Sequence, residues 1–163
     1  MELRDAQEGD VSGILEIYND VIAHSTAIYS EQPVSLEDRL IWLRDRREQG
    51  YPVIVAVSAG QIVGFTSFGD FRAWPCYRYT VEHTVHVRSG QRGQGLGGLL
   101  LQALIPRAAA IGKHVLIAGI DADNSASLKL HQRMGFERVA HFRQVGRKFD
   151  RWLDLVFMQR LLN

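Results

Sequence analysis

The segment RGQGLGG, residues 92–98, constrains this chain more than any other. Four glycines in seven residues let the main chain adopt conformations closed to other residues and approach a ligand with no side chain between. On one side lies a β-rich stretch, YTVEHTVHV (79–87); on the other, an apolar stretch from about Gly95 to Ile111 reads as a helix. A turn that leaves a strand and opens a helix presents unpaired N–H groups and the positive end of the helix dipole, which together suit a phosphate. The chain must therefore hold a strand–turn–helix unit, and with it a layered fold of sheet and helices.

The remaining elements agree. Ile14, Ile17 and Val21 recur at helical spacing over about Asp10 to Ala23, with Asp10 or Ser12 as a cap. A second helix begins at Ser35, where Ser35 and Asp38 resemble a capping box. The apolar runs 52–57 and 61–68 flank Ala59-Gly60 and read as a hairpin. After the glycine turn and its helix come a buried strand (115–120), a helix from about Ser125 to Met134, and two β-like stretches, 138–146 and 151–160. The expected fold is α/β (α+β): one mixed, partly parallel sheet flanked by helices, in a single domain spanning residues 1–163.

Two ligand classes fit the glycine turn. Gly93, Gly95 and Gly98 match G-x-G-x-x-G, and Asp121 ends the next strand near the place of a ribose-binding acid, as in a dinucleotide-binding oxidoreductase module. Against this, Arg88 to Arg92 separate the strand end from the first glycine, where that motif needs a tight turn. No Lys-Ser or Lys-Thr follows the glycines, so the loop is not a Walker A loop. The same residues also read R-x-x-G-x-G, through Arg92, Gly95 and Gly97.

In that reading the turn resembles the pyrophosphate-binding signature of the GNAT superfamily of acyl-CoA N-acyltransferases. DNSASLKLHQRMGF (123–136) resembles a second element of the superfamily through Asn124, Ser127, Leu128, His131, Gly135 and Phe136. Residues 51–71 and 79–87, the aromatic segment FRAWPCYRY (71–79) and the tail 142–159 are similar to the phosphinothricin and methionine sulfoximine N-acetyltransferases. The resemblance implies a GNAT fold, acetyl-CoA as co-substrate, acetylation of the α-amine of a small amino-acid analogue, and a homodimer. A non-catalytic acyl-CoA sensor would keep the cofactor site without the chemistry.

The resemblance also implies roles. Arg92, Gly93, Gln94, Gly95, Leu96, Gly97 and Gly98 would hold the pyrophosphate. Backbone groups of Val85, His86 and Val87, on a strand splayed from its neighbour, would pair with the pantetheine arm, with Asn124 and Ser127 alongside. The N–H of Val85 or His86 would polarise the thioester carbonyl. Glu82, a carboxylate in an apolar strand, is the expected general base, because burial raises a carboxyl pKa toward neutrality. His131 stands where many relatives carry a tyrosine that protonates the thiolate, and an imidazole can do this or relay a proton. Arg72, Ala73, Trp74, His83 and Thr84 join Glu82 as expected substrate contacts. Arg72 offers a planar fork to a carboxylate or an anionic side-chain head, Trp74 a pocket wall with Phe71 behind it, and Tyr29 a cover.

Composition narrows the partners. Nineteen Lys and Arg against 18 Asp and Glu leave a net charge of +1, which gives no broad basic face for nucleic acid. No apolar run reaches the ~20 residues of a membrane span, and MELRDAQEGD lacks the apolar core of a secretory signal, so a cytoplasmic setting is expected. The lone Cys76 permits no internal disulfide. His83 and His86 point to opposite faces of their strand, and H-E-x-x-H is absent, so no metal is expected.

Overall fold

Seven strands and four helices alternate along the chain, and the computed structural model describes all of residues 1–163. They are β1 (Glu2–Asp5), α1 (Val11–His24), α2 (Leu36–Glu48), β2 (Val53–Ser58), β3 (Gln61–Asp70), β4 (Thr80–Val87), α3 (Leu96–Ala110), β5 (Val115–Asp121), α4 (Ser125–Arg133), β6 (Glu137–Lys148) and β7 (Arg151–Leu161). The strands form one sheet in the order β1-β2-β3-β4-β5-β7-β6. Only β4 and β5 run parallel; every other neighbouring pair is antiparallel. This is the expected mixed sheet flanked by helices. It also removes the dinucleotide alternative, which needs a doubly wound parallel sheet.

Each helix pair covers one face. Leu100, Leu101 and Leu104 of α3 pack with Phe68, Val81, Leu116 and Met158 on one side of the sheet. Ile14, Ile17 and Val21 of α1 and Leu43 of α2 pack with Val53, Val55 and Phe65 on the other. β3 is thus covered on both faces and buried almost throughout, as its continuous apolar run requires. Truncating a buried core leucine such as Leu104 to Ala would cost about 2–5 kcal/mol.

Local chemistry sets the ends of the elements. Ser35 caps α2, its hydroxyl accepting from Asp38 N at 3.1 Å. Asp10 does not cap α1 through its side chain: its carboxylate is held by Arg4 at 2.6 Å and by Gln7 N at 2.7 Å. Ala59 and Gly60 both take positive φ, the backbone of a tight hairpin between β2 and β3. No helix is long and apolar enough to cross a membrane.

One irregularity positions everything that follows. Register between β4 and β5 runs from Thr80↔Val115 to His83↔Ala118 and stops, although β4 continues to Val87 and β5 to Asp121. Beyond His83 the two parallel strands part.

Candidate active site

The parted strands open into a cleft of about 720 Å³ whose rim is the N-terminal end of α3. Gly95, the N-cap, has φ +80° and ψ 6°, and Gly93 also has φ +80°. A Cβ at either would meet no atom within 4 Å, so both glycines leave the rim open. Gly97 serves differently: a Cβ there would come within 3.1 Å of Leu130 Cδ2, so its smallness lets α3 approach α4. The N–H groups of Leu96, Gly97 and Gly98 lie in the first turn of α3 and have no intrahelical acceptor. Arg92 Nε donates to Val87 O at 3.2 Å and fastens the turn to the end of β4. Together these groups suit a diphosphate. Of the expected turn residues, Gln94 alone stays outside the cleft lining.

Ladder parity selects the backbone groups that face the gap. Arg88 N donates to Val63 O at 2.8 Å, so along β4 the N–H groups of His86 and Thr84 also point toward β3. Those of Val85 and Val87 point the other way, toward a β5 that has moved off. Val85 rather than His86 therefore presents a free N–H, and the expectation for His86 is corrected on this point. A smaller recess of about 80 Å³ between the strands is lined by Val85, Ala118, Asn124 and Ser127, with His83 and His131 behind. Asn124 caps α4, its Oδ1 accepting from Ser127 N at 3.2 Å.

Glu82 stands on the opposite face of β4 from Val81 and His83, on the side of α1 and α2. It does not line the large cleft. Its register partner on β3 is Gly69, and on β5 the nearest open position is Gly119, where a Cβ would lie 3.1 Å from Glu82 Oε2. Two glycines thus clear the sheet surface around this carboxylate. Burial alone pushes its pKa up, and no cation counters the shift. Such a carboxyl is a better proton acceptor than one in water.

His83 and His131 stack 5.1 Å apart with their Nε2 atoms at 2.9 Å. His131 Nδ1 lies 2.8 Å from Ser127 O, which can only accept, so that nitrogen carries the hydrogen. Neutral His131 then accepts at Nε2 from His83 Nε2–H, and His83 Nδ1 is left buried without a partner. Burial, followed by the charge of His131, drives the His83 pKa down to about 3; burial likewise lowers that of His131. Neither ring is a ready imidazolium at neutral pH, so a proton leaving His131 has to be replenished through the pair. His86 is separate, edge-on to Tyr18 and tilted against Phe65.

The loop after β3 carries the other expected contacts. Asp70↔Val81 pairing sets it beside the Glu82 end of β4. Arg72, Ala73 and Trp74 are exposed, and the Arg72 guanidinium lies 5.2 Å from the ring centres of Trp74 and Tyr77. Trp74 is 64% exposed and lines neither the cleft nor the recess. An aromatic that shares Glu82's surroundings at Gly119 is Phe157, whose Cε1 would be 3.3 Å from a Cβ there and whose ring meets Phe71 at 6.0 Å. Thr84 is exposed on the Glu82 face. Tyr29 does not swing free as a cover: its hydroxyl donates to Asp154 O at 2.7 Å, and its ring packs on Gly146.

One buried group escaped the sequence reading, and another has a role different from the one expected. Lys148 is 1% exposed and donates to Ser25 O at 2.6 Å and Ile28 O at 2.8 Å, strapping the loop after α1 against the end of β6. Asp121 accepts from the Thr26 hydroxyl and from Asp123 N, so it braces the same loop rather than waiting for a ribose. No group of three His, Cys, Asp or Glu residues is placed to hold a metal ion, and Cys76 is exposed.

Known proteins resemble this chain in sequence and fold. The acetyltransferase (GNAT) family matches residues 14–136. A methionine sulfoximine/methionine sulfone acetyltransferase of Pseudomonas aeruginosa is 53% identical over 158 residues, 96% of this chain and 92% of that protein. A phosphinothricin N-acetyltransferase of Streptomyces coelicolor is 36% identical over 99% of this chain and 96% of its own length. Among solved structures, an acetyltransferase from Salmonella typhimurium with its cofactor acetyl-CoA superposes with a TM-score of 0.98. It is 46% identical and covers 100% of this chain and 94% of its own.

Proposed function

This chain belongs to the GNAT family of acetyltransferases, and from that premise we propose that it acetylates the α-amine of a small amino acid bearing a polar sulfoximine, sulfone or phosphinate head. Its relatives' activities support that substrate class. Acetyl-CoA is the co-substrate and supplies, when bound, an activated acetyl thioester with a thiolate leaving group. The first turn of α3 and Gly93–Gly95 hold its diphosphate, and the gap between β4 and β5 takes the pantetheine arm. The Val85 N–H donates to the thioester oxygen as negative charge develops there. Glu82 accepts the proton that the acceptor ammonium must lose before its nitrogen can attack. The thiolate is protonated from the Ser127–His131–His83 side of the recess.

The observation that carries this reading is a half-buried carboxylate that forms no ion pair, placed three residues before a free backbone N–H. The test is thiol release from acetyl-CoA on adding methionine sulfone. Turnover that vanishes in Glu82→Gln, with acetyl-CoA affinity intact, supports the reading. Acetyl-CoA binding without turnover on any amino acid would return the chain to the sensor alternative. The same reading takes residues 1–163 as a single catalytic domain working in the cytoplasm on a small molecule, with no nucleic acid or membrane as partner. It also takes the chain as a homodimer. Exposed Val139, Phe142, Val145 and Trp152 on β6 and β7 support that assembly, and sedimentation velocity tests it.

A further inference from the structure

α2 turns a stripe of Arg39, Trp42 and Arg46 toward the sheet, at helical spacing. Arg39 is satisfied: its Nη2 is 2.8 Å from Asp38 Oδ1, and its guanidinium lies 4.2 Å from the centre of the Tyr18 ring. Arg46 is not. Its guanidinium forms no ion pair and no hydrogen bond, its only partner being the Trp42 ring at 5.8 Å, and its Nε is sealed from solvent without an acceptor. Burial, then the nearby charge of Arg39, pulls its pKa below the ordinary value. Buried polar groups nearly always have partners, so a guanidinium whose Nε–H is sealed off unanswered and whose Nη groups have no protein acceptor points to an acceptor that arrives from outside.

The place where these donors lie is specific. The guanidinium rests on Gly69: a Cβ there would be 2.6 Å from Nη2 and 2.9 Å from Cζ. Gly69 is directly opposite Glu82 in the β3–β4 register. Side chains of opposed residues share a face, with Cβ positions about 5 Å apart. Arg46 therefore occupies the space that a side chain opposite the general base would fill. The Glu82 carboxylate leans the other way, over Gly119. A cation and an anion stand on one sheet face and do not pair with each other.

We infer that this gap reads a zwitterion, Arg46 binding the α-carboxylate of the acceptor while Glu82 receives its ammonium. The inference rests on the proposed amino-acid acceptor. In an α-amino acid the two charged groups flank a single carbon, which fits an anion and a cation that share one sheet face without pairing. The planar fork of Arg46 suits a carboxylate. Arg72, out on its loop, is then left to meet the polar side-chain head.

The test compares methionine sulfone with its decarboxylated amine, 3-(methylsulfonyl)propylamine, in the wild-type protein and in Arg46→Gln. Wild type should strongly prefer the amino acid. Arg46→Gln should lose about 10- to 150-fold in kcat/KM on the amino acid, the loss of one charged contact, mostly through KM. The amine, which has no carboxylate to lose, should suffer far less. Acetyl-CoA affinity and the thermal midpoint report whether the variant is folded. Should it fail to fold, Gly69→Ala carries the test: its methyl pushes the flexible guanidinium aside and should lower the same preference. If both substrates lose equally, or the preference survives, Arg46 does not read the carboxylate. A wild type with no preference for the amino acid would overturn both the zwitterion site and the amino-acid acceptor it rests on.

Discussion

Replacing Gly95 by alanine separates what the glycine turn does for the fold from what it does for the ligand. At φ +80° an L-residue pays strain of about 1–2 kcal/mol. Stiffening the unfolded chain returns about 0.4–1 kcal/mol. No atom lies within 4 Å of the new methyl, so no packing term is added. The net cost is about 1 kcal/mol, a fall of about 2–4 °C in Tm for a chain of this size. Gly112 has φ +82° and equally open surroundings, but lies after α3, at its far end. Gly112→Ala should therefore lose the same stability. Of the two, only Gly95 lines the cleft, so only there does the methyl enter the space proposed for the diphosphate, where it should cost at least one charged hydrogen bond, about 10-fold or more in acetyl-CoA affinity. Calorimetric titration with acetyl-CoA and scanning calorimetry on both variants give the comparison. Equal affinities in the two variants would refute the diphosphate assignment, whatever their Tm values.

Three further outcomes are expected. Glu82→Gln should lower kcat by about 10²–10⁴-fold, and wild-type kcat/KM should fall on the acid side as Glu82 protonates, with an inflection above that of an ordinary glutamate; a loss confined to KM would make Glu82 a positioning group. His86 is held neutral by burial, its pKa lowered from 6.5 to about 4, so its contribution is complete above pH 6.5 and is lost as pH falls toward 4. Between pH 6.5 and pH 5 the loss is about 2 kcal/mol at 1.36 kcal/mol per unit, and denaturant unfolding of His86→Phe at pH 7 and pH 5 should show a correspondingly weaker acid dependence than wild type. Arg72→Lys should cut efficiency on methionine sulfone more than on norleucine, which lacks the sulfone; equal losses would remove Arg72 from recognition of the head.

Much of this was legible in the sequence because it rests on local patterns. The glycine turn, the Ser35 cap and the Ala59-Gly60 hairpin are decided by neighbours in the chain, and the structure places them within a residue or two of expectation. Glu82 was legible as a charge in an apolar strand. What escaped depends on tertiary juxtaposition. β1 is only four residues, ELRD, whose polar ends hide a strand made by pairing with β2. The turn between β6 and β7 places positive φ on Phe149 and Asp150, residues that do not announce it. Arg46 lies 36 residues from Glu82 in the chain, and only the β3–β4 register sets them across one strand pair. The His83–His131 contact needed α4 to lie over the end of β4.

The parting of β4 from β5 divides the labour of one strand between two kinds of atom. In the proposed reading, the donor molecule is met from Val85 onward by main-chain groups, which every amino acid but proline possesses in full. The acceptor would be met by side chains, those of Glu82 and Thr84, on the reverse of the same ribbon. Substitution can therefore rework the acceptor's surroundings residue by residue while the donor's contacts are inherited unchanged. Such a strand is free to explore new amines without relearning how to hold its acyl carrier.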